Sequence, residues 1–246
     1  MSHAFRWLRS VMFIILTYAG MAVLGLVFAP FALFSRKAAR RACKLFCVWA
    51  RWLARVLVGI RSEVRGTVPT GEVIIAAKHQ SFLDIILIFQ AVPQAKFIMK
   101  RELLWTPVIG LYAKRIGCIP VDRNKRGRAI AQLVKDVAAE FVDPGQLVIY
   151  PQGTRVTPGA RLPYKVGAAL LYDGLEEPCY PAATNVGLFW PRKGIMRYPG
   201  LAVVEFLDPI APGMPRAEFM AELENRVETH SNALMKEAGF DLNELD

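Results

Sequence analysis

The feature that most constrains this chain is a run of 24 residues, from 11 to 34, that contains no charged side chain. At a rise of about 1.5 Å per residue, a helix of this length extends roughly 36 Å, enough to cross a hydrocarbon core of ~30 Å with some tilt. The run is too long for the apolar region of a signal peptide, and no small-residue cleavage site follows a shorter apolar stretch. We therefore expect it to remain in the protein as a membrane-embedded helical segment. Gly20, Gly25 and Pro30 leave open a bent helix that enters one leaflet and returns.

Charged residues on either side of this run predict its orientation. Arg6 and Arg9 precede the run, whereas four cations follow it closely. By the positive-inside rule, this excess predicts that the rest of the chain lies in the cytoplasm. The four cations are Arg36, Lys37, Arg40 and Arg41.

The next segment has the pattern of an amphipathic helix with a basic side. Its cations recur at intervals of four and seven residues, which stacks them along one side of a helix. One interpretation is an interfacial helix whose cations bind anionic lipid head groups while tryptophans and leucines reach the acyl chains. The other is an ordinary surface helix docked on the folded domain. The cations are Arg36, Arg40, Lys44, Arg51 and Arg55, and the apolar residues are Leu45, Phe46, Val48, Trp49, Trp52, Leu53 and Val56.

Composition agrees with a protein that meets lipid. The 246 residues are 54% hydrophobic, which is high for a purely soluble protein, and the net charge of +10 suits an anionic partner. Aromatic and basic residues are segregated rather than interleaved, which favours an anionic membrane surface over nucleic acid. Four cysteines without a Cys-x-x-Cys pair, together with only three histidines, offer no zinc-ligand spacing. We expect reduced thiols and no metal site.

Beyond residue 65, short apolar runs alternate with helical patterns. This alternation predicts an α/β fold with a mixed, largely parallel sheet flanked by helices. We divide the chain into a membrane anchor with its basic helix, residues 1–62, and a single domain, residues 63–246. Predicted strands cover 73–77, 95–99, 117–121, 146–150, 179–184 and 201–206, and predicted helices cover 82–91, 102–115, 127–142, 165–175 and 215–238.

Three of the predicted strands end in polar clusters. Because the carboxyl ends of parallel strands meet at one edge of a sheet, we expect a base, two guanidinium groups and a glycine-bearing loop to lie together, with phosphate as the natural ligand. The clusters are His79 with Asp84, Asp122 with Arg123, and residues 151–155. Arg123 also fits a solvated or lipid-facing surface, because it begins a run of basic residues.

His79 and Asp84 can meet only under one condition. On a continuous helix, residues five apart point in different directions, so His79 must precede the helix and turn back over its first turn. A helix that begins near Ser81 permits this. A carboxylate bonded to one imidazole nitrogen leaves the other free to take a proton from a hydroxyl. The structural alternative is a capping box, in which Ser81 and Asp84 only close the first helical turn.

Residues 152–155, Gln-Gly-Thr-Arg, follow a strand and can present backbone amides, a hydroxyl and a guanidinium to an oxyanion. Lys165, which opens a predicted helix shortly downstream, adds a cation. The alternative is a plain turn at the end of a strand with a solvated arginine.

Together these motifs resemble the glycerolipid acyltransferase family. Residues 79–84 are similar to its His-x4-Asp motif, residues 117–123 to its second block, and residues 151–155 to its third, which is usually Pro-Glu-Gly-Thr-Arg. Pro181 matches the proline of the fourth block. Four blocks in the family order, each behind a predicted strand, are far more specific than any one of them. The resemblance is closest to the bacterial 1-acylglycerol-3-phosphate acyltransferases.

The resemblance implies a role for each matched residue. His79 would be the general base and Asp84 would orient it, whereas Arg123 and Arg155 would bind the phosphate of the acceptor. The remaining residues of the predicted substrate-binding set are Gln152, Gly153, Thr154 and Lys165.

Two residues depart from the family pattern. Gln152 stands where the family usually has Glu, and Lys78 stands where Asn is frequent. Loss of a carboxylate at position 152 weakens any assignment of the acceptor head group.

The resemblance implies transfer of a fatty acyl group from acyl-CoA or acyl carrier protein to the free hydroxyl of a lysophospholipid at the cytoplasmic face of the bacterial inner membrane. The acceptor would be 1-acylglycerol-3-phosphate and the product phosphatidic acid. No cofactor is expected beyond the acyl donor, and no covalent nucleophile is needed, although Ser81 lies close enough to His79 to be one. Alternatives are a lipid hydrolase or remodelling enzyme acting on another lyso-lipid, and a non-catalytic protein that binds a membrane surface or nucleic acid.

Overall fold

The computed structural model describes residues 2–121 and 145–241. In chain order, the strands of the described residues are β1 (Ile60–Arg65), β2 (Val73–Ala77), β3 (Ala95–Lys100), β4 (Ile119–Val121), β5 (Gln146–Ile149), β6 (Cys179–Thr184) and β7 (Gly200–Phe206). The α-helices are α1 (His3–Ala32), α2 (Arg36–Val58), α3 (Leu83–Ala91), α4 (Ile109–Arg115), α5 (Gly167–Leu175) and α6 (Arg216–Glu237).

The strands form one sheet in the order β1-β7-β6-β2-β5-β3-β4. Neighbouring strands from β6 to β4 pair in parallel, and β1 pairs in parallel with β7. Only the β6–β7 pairing is antiparallel among the described strands. The prediction of a mixed, largely parallel sheet flanked by helices is therefore confirmed. Strand β1 was not predicted, because it lies at the edge of the sheet and its sequence, Ile-Arg-Ser-Glu-Val-Arg, is charged at alternate positions and has only two apolar residues.

Both faces of the sheet are covered, and the central strand shows why. All five residues of β2 are buried. Ile75 packs into a core shared with α2 and α3, whereas Ile74 packs with α5 and α6 on the opposite face. A continuous β-branched apolar run is the expected pattern for a parallel strand covered on two sides. This burial fixes where β2 ends and therefore where His79 emerges.

Helices α1 and α2 pack antiparallel. The Nε1 of Trp49 donates to the carbonyl oxygen of Leu16 at 3.1 Å, and Arg9 donates to the carbonyl oxygen of Val56 at 3.1 Å. Gly20 lies directly beneath the Trp49 indole, where a Cβ atom would clash. The small residue at position 20 therefore permits the close approach of the two helices.

Helix α1 also lies along the domain. Near its start, Ser10 accepts a hydrogen bond from the backbone N–H of Arg197 at 3.0 Å. Near its end, the Tyr112 hydroxyl donates to the carbonyl oxygen of Gly25 at 2.8 Å. The helix continues past Pro30 to Ala32, and the chain returns through α2 rather than through a bend in α1. Among the described helices, α1 alone has the length and mean hydropathy, 2.4, of a membrane span.

The cations of α2 do not all face away from the domain. Lys44 donates to the carbonyl oxygens of Gln90 and Val92 at the end of α3, at 3.3 and 2.9 Å. Arg51 donates to Ser62 and to the side chain of Gln90. The interpretation in which all five cations face lipid head groups is therefore wrong for Lys44 and Arg51. The carbonyl oxygens at the end of α3 attract the Lys44 ammonium, and polar groups of Ser62 and Gln90 hold Arg51. Four apolar side chains of α2 are exposed, namely Leu45, Val48, Trp52 and Val56, together with the cations Arg36, Lys37, Arg41 and Arg55.

The predicted helix 102–115 is interrupted. Residues Arg101–Trp105 form a 3₁₀ turn, and α4 begins only at Ile109. Pro107 lacks the N–H that a continuous helix needs, so the pattern of apolar residues alone gave too long a helix. The predicted helix 127–142 lies outside the described residues.

Candidate active site

The predicted contact between His79 and Asp84 is present. The Nδ1 of His79 lies 2.9 Å from Oδ1 of Asp84. The geometry arises because β2 ends at Ala77 and α3 begins at Leu83, which leaves His79 on the connecting turn, facing the first turn of the helix. The Asp84 side chain is fully buried, whereas His79 keeps 12% of its side chain exposed.

Asp84 both closes the helix and holds the imidazole. Its Oδ2 accepts the backbone N–H groups of Gln80 at 2.8 Å and Ser81 at 2.7 Å. This is the carboxylate half of a capping box, and the Ser81 hydroxyl accepts from Leu83 rather than from Asp84 as in a full box. The capping and orienting interpretations are therefore both satisfied by one carboxylate.

The tautomer of His79 follows from its partners. A buried carboxylate can only accept, so Nδ1 of His79 carries the proton and Nε2 holds a lone pair. Nε2 makes no hydrogen bond within residues 2–121 and 145–241. A basic nitrogen is thus available at a partly exposed site, which is the arrangement needed to take a proton from a hydroxyl group.

Tyr150 supports the pair from the neighbouring strand. Its ring stacks on the His79 imidazole with 3.9 Å between the centroids, and its hydroxyl donates to Oδ1 of Asp84 at 3.0 Å. Burial, and then the neighbouring Asp84 carboxylate, raise the pKa of Tyr150 well above its usual range, so its phenol stays a donor. Sequence reasoning missed Tyr150, although its place at the end of β5, beside β2, was the available signal.

The backbone around His79 is anchored on both sides. Its carbonyl oxygen accepts from the N–H of Val156 at 2.7 Å, which ties the histidine to the loop after β5. The Gln80 side chain is fully buried and accepts from the N–H of Gly187 at 3.0 Å. These bonds fix the position of the ring.

The loop after β5 carries Gly153, Thr154 and Arg155, and it joins His79 through the hydrogen bond from Val156. Gly153 has φ +69°, a left-handed conformation that favours glycine, and the end of the flexible Lys165 side chain lies against it. Lys165 also donates its backbone N–H to Pro151. Thr154 is half-buried, and Arg155 and Lys165 are exposed, so this loop offers a hydroxyl and two cations to solvent. An anion fits this part of the loop.

Gln152 does not share this exposure. Only 3% of it is accessible, and its Nε2 donates to the carbonyl oxygen of Leu162 at 3.3 Å and to Glu228 at 3.4 Å. The expectation that the Gln152 side chain binds substrate does not fit this burial, because the amide is turned into the protein. A buried polar side chain needs internal partners, and here α6 supplies them.

Lys78 is paired in the same interior network. Its ammonium lies 2.6 and 2.7 Å from the two carboxylate oxygens of Glu228. The Tyr164 hydroxyl donates to Oε1 of Glu228 at 2.9 Å. Sequence reasoning missed Glu228, because a pairing between residues so distant in the chain leaves no local pattern.

Arg123 lies outside the described residues. Strand β4, which precedes it, runs parallel to β5 and is separated from it by β3, so the two strands end at the same edge of the sheet. Within the described residues, no group of three or more His, Cys, Asp or Glu side chains is arranged to hold a metal ion.

Comparisons with known proteins agree with this architecture. The Acyltransferase family model matches residues 59–184. The chain is 32% identical to a 1-acyl-sn-glycerol-3-phosphate acyltransferase of Pseudomonas aeruginosa, over 94% of this chain and 91% of that protein. It is also 32% identical to the mouse 1-acyl-sn-glycerol-3-phosphate acyltransferase alpha, over 64% of this chain and 58% of the relative.

The fold matches a solved structure. The crystal structure of the 1-acyl-sn-glycerophosphate (LPA) acyltransferase PlsC from Thermotoga maritima superposes with a TM-score of 0.77 at 21% identity, covering 93% of this chain and 97% of that one. The family model spans both the His79–Asp84 pair and the loop after β5. The chain therefore belongs to the glycerolipid acyltransferase family and is an O-acyltransferase.

Proposed function

We propose that this protein transfers a fatty acyl group to the free hydroxyl of 1-acyl-sn-glycerol-3-phosphate and forms phosphatidic acid. The observation that carries the proposal is the His79–Asp84 pair, whose 2.9 Å contact leaves a basic nitrogen at a partly exposed site. This acceptor is supported by the bacterial and mouse relatives, which are 1-acyl-sn-glycerol-3-phosphate acyltransferases.

The chemistry requires one base and two aligned substrates. Nε2 of His79 takes the hydroxyl proton while the oxygen attacks the carbonyl carbon of a thioester. The new C–O bond replaces the C–S bond, and the departing sulfur takes the proton back from the imidazolium. Asp84 stabilises the imidazolium, and no covalent enzyme intermediate is needed once the substrates are held together. The acyl donor is acyl-CoA or acyl carrier protein.

The loop after β5 suits the acceptor phosphate. Arg155 and Lys165 supply positive charge and Thr154 supplies a hydroxyl, whereas the N–H of Gly153 already donates to the carbonyl oxygen of Tyr150 at 2.8 Å. Arg123 belongs to the proposed set because β4 ends at the same edge of the sheet. We assign no contact to the Gln152 side chain.

The N-terminal helices support a site at a lipid surface. Ser10 and Gly25 of α1 both contact the domain, and they lie about 22 Å apart along the helix. A helix held to the domain over this distance cannot leave it to cross a bilayer, so we propose insertion into one leaflet. The cytoplasmic face of the bacterial inner membrane is the proposed location, since cations follow the apolar run.

The test is an acyl-transfer assay with the full chain in detergent. A panel of lyso-lipids is offered with labelled acyl-CoA or acyl carrier protein, and label in diacyl lipid is measured against label in free fatty acid. Loss of the base is expected to cut turnover by ~10² to 10⁴ in His79→Ala. His230→Ala is the matched control, because His230 is exposed on α6 and lies away from the loop after β5, beside Glu205.

Three results would overturn the proposal. Label in free acid alone would identify a hydrolase. A different preferred acceptor would refute the phosphatidic acid assignment. Near-normal turnover by His79→Ala would remove the general base.

A further inference from the structure

The two residues that depart from the family motifs meet at a third. Lys78 immediately precedes His79, and Gln152 immediately precedes Gly153. Both residues are buried, and their side chains contact the same oxygen, Oε1 of Glu228 on α6. One carboxylate thus joins the strand ends that carry the base and the loop after β5.

The environment makes this contact costly to break. The Lys78 side chain is 2% exposed, and the Glu228 side chain is 18% exposed. Both oxygens of Glu228 lie within 2.7 Å of the ammonium, and Tyr164 donates a further hydrogen bond at 2.9 Å. A buried ammonium that loses its carboxylate is left uncompensated, and the backbone must move to solvate it.

We propose that Glu228 is a positioning residue for the acyl-transfer site and that it acts through Lys78 and Gln152. It sets the end of β2, and hence the His79 ring, relative to the loop after β5 that would hold the acceptor phosphate. This inference rests on the proposed function for its catalytic consequence, whereas the charge pairing itself stands on geometry.

The charges in the network are balanced, which gives the proposal a specific signature. One ammonium faces one carboxylate, and Gln152 contributes a neutral amide that donates to Glu228. A carboxylate at position 152 would place a second negative charge beside the first. Removing the charge from Glu228 at the same time would restore the balance, because both side chains reach the neighbourhood of the Lys78 ammonium.

The first experiment measures turnover per folded enzyme. Glu228→Gln is expected to lower kcat by about 10- to 100-fold, since a displacement of about 1 Å from a remote change can cost 10²-fold. Glu224→Gln is the matched control, because it makes the same change on an exposed residue one turn earlier on α6. Equal kcat values in Glu228→Gln and the wild type would overturn the proposal.

The second experiment uses reciprocal rescue. Gln152→Glu alone is expected to lower kcat, and Gln152→Glu combined with Glu228→Gln is expected to recover most of the loss. A residue that only fills space would give two losses that add. Additive losses would therefore overturn the proposal. If Glu228→Gln does not fold, Lys78→Met with Glu228→Gln removes both charges and is expected to fold and to remain less active than the wild type. Full activity in this double variant would also overturn the proposal.

A third readout does not depend on activity. The imidazole NMR signal of His79, identified by its loss in His79→Ala, is expected to shift in Glu228→Gln and not in Glu224→Gln. A signal that stays in place in Glu228→Gln would refute positioning even if turnover fell. A shifted signal in an enzyme that makes no diacyl lipid would leave positioning supported and would sink only the proposed function.

Discussion

Replacing Asp84 by asparagine separates the two tasks of this carboxylate. Four donors meet it: the imidazole of His79, the hydroxyl of Tyr150, and the backbone N–H groups of Gln80 and Ser81. A carboxylate accepts all four, but an amide offers one oxygen and one NH₂ group that can only donate. The substituted side chain must therefore turn donors towards donors on one of its two sides.

The expected effect of the substitution depends on which pair of donors loses its acceptor. If the NH₂ group of Asp84→Asn faces the backbone, the N–H groups of Gln80 and Ser81 lose their acceptor at a cost of about 1–3 kcal/mol each. That would remove a large part of a typical stability of about 5–15 kcal/mol. If it faces His79, Nδ1 must accept, so the proton moves to Nε2 and the base is blocked. Either orientation also removes the negative charge that stabilises the imidazolium, so turnover per folded enzyme should fall in both cases, by ~10² to 10⁴.

The assay combines three measurements on the same preparation of Asp84→Asn. Acyl transfer per folded enzyme gives the catalytic loss, urea unfolding gives the change in stability, and nitrogen-15 NMR of His79 reports the tautomer. Asp173→Asn is the control, because Asp173 is exposed and paired with Arg216. Turnover within tenfold of the wild type, with Nε2 unprotonated and stability unchanged, would refute the reasoning.

Three further predictions follow from neighbouring side chains. Tyr150→Phe keeps the stacked ring but loses the hydrogen bond to the Asp84 carboxylate, so the free energy of unfolding should fall by about 1.5–3 kcal/mol. A larger catalytic loss than in Asp84→Asn would contradict the supporting role. Gly153→Ala, at φ +69° and against Lys165, should cost ~1–2 kcal/mol and raise the KM for the acceptor, and an unchanged KM would argue against the phosphate loop. Burial raises the pKa of the Cys179 thiol from 9.0 to about 12. The stabilising contribution of this thiol is therefore complete below pH 9 and should fall as the pH rises towards 12. Over this interval the wild type should lose more unfolding free energy than Cys179→Ala, and equal losses would contradict the pKa shift.

The parallel centre of the fold could be predicted because its strands are encoded by short, continuous stretches of the sequence. Residues 73–77 form a continuous β-branched run, and their burial in β2 followed from this pattern. The contact of His79 with Asp84 was predictable for the same reason, because both lie on one turn. Strand β1 escaped because it is short, half-exposed and charged at alternate positions.

The contacts at the site that were not predicted join residues that are far apart in the chain. Lys44 looked like a lipid-facing cation by its spacing on α2, and only the position of the α3 carbonyls shows that it faces inward. The place of Gln152 just after β5 predicted a side chain available to substrate, whereas α6 covers that side chain. Periodicity places a side chain on one side of its own element, but it carries no information about which other element will cover that side.

The residues beside His79 are buried, whereas residues of the loop after β5 are more exposed. Lys78, Gln80, Ser81 and Asp84 are each at most 3% exposed, so these residues are held by internal partners, while 12% of the His79 side chain remains exposed. Because the imidazole is already held in place, binding of the acceptor hydroxyl should cost little additional conformational entropy. The groups proposed to bind the acceptor phosphate lie instead on the more exposed loop after β5, where they can change without disturbing the proposed base. A substitution at Arg155 should therefore alter acceptor choice, whereas one at Glu228 should alter turnover for every acceptor.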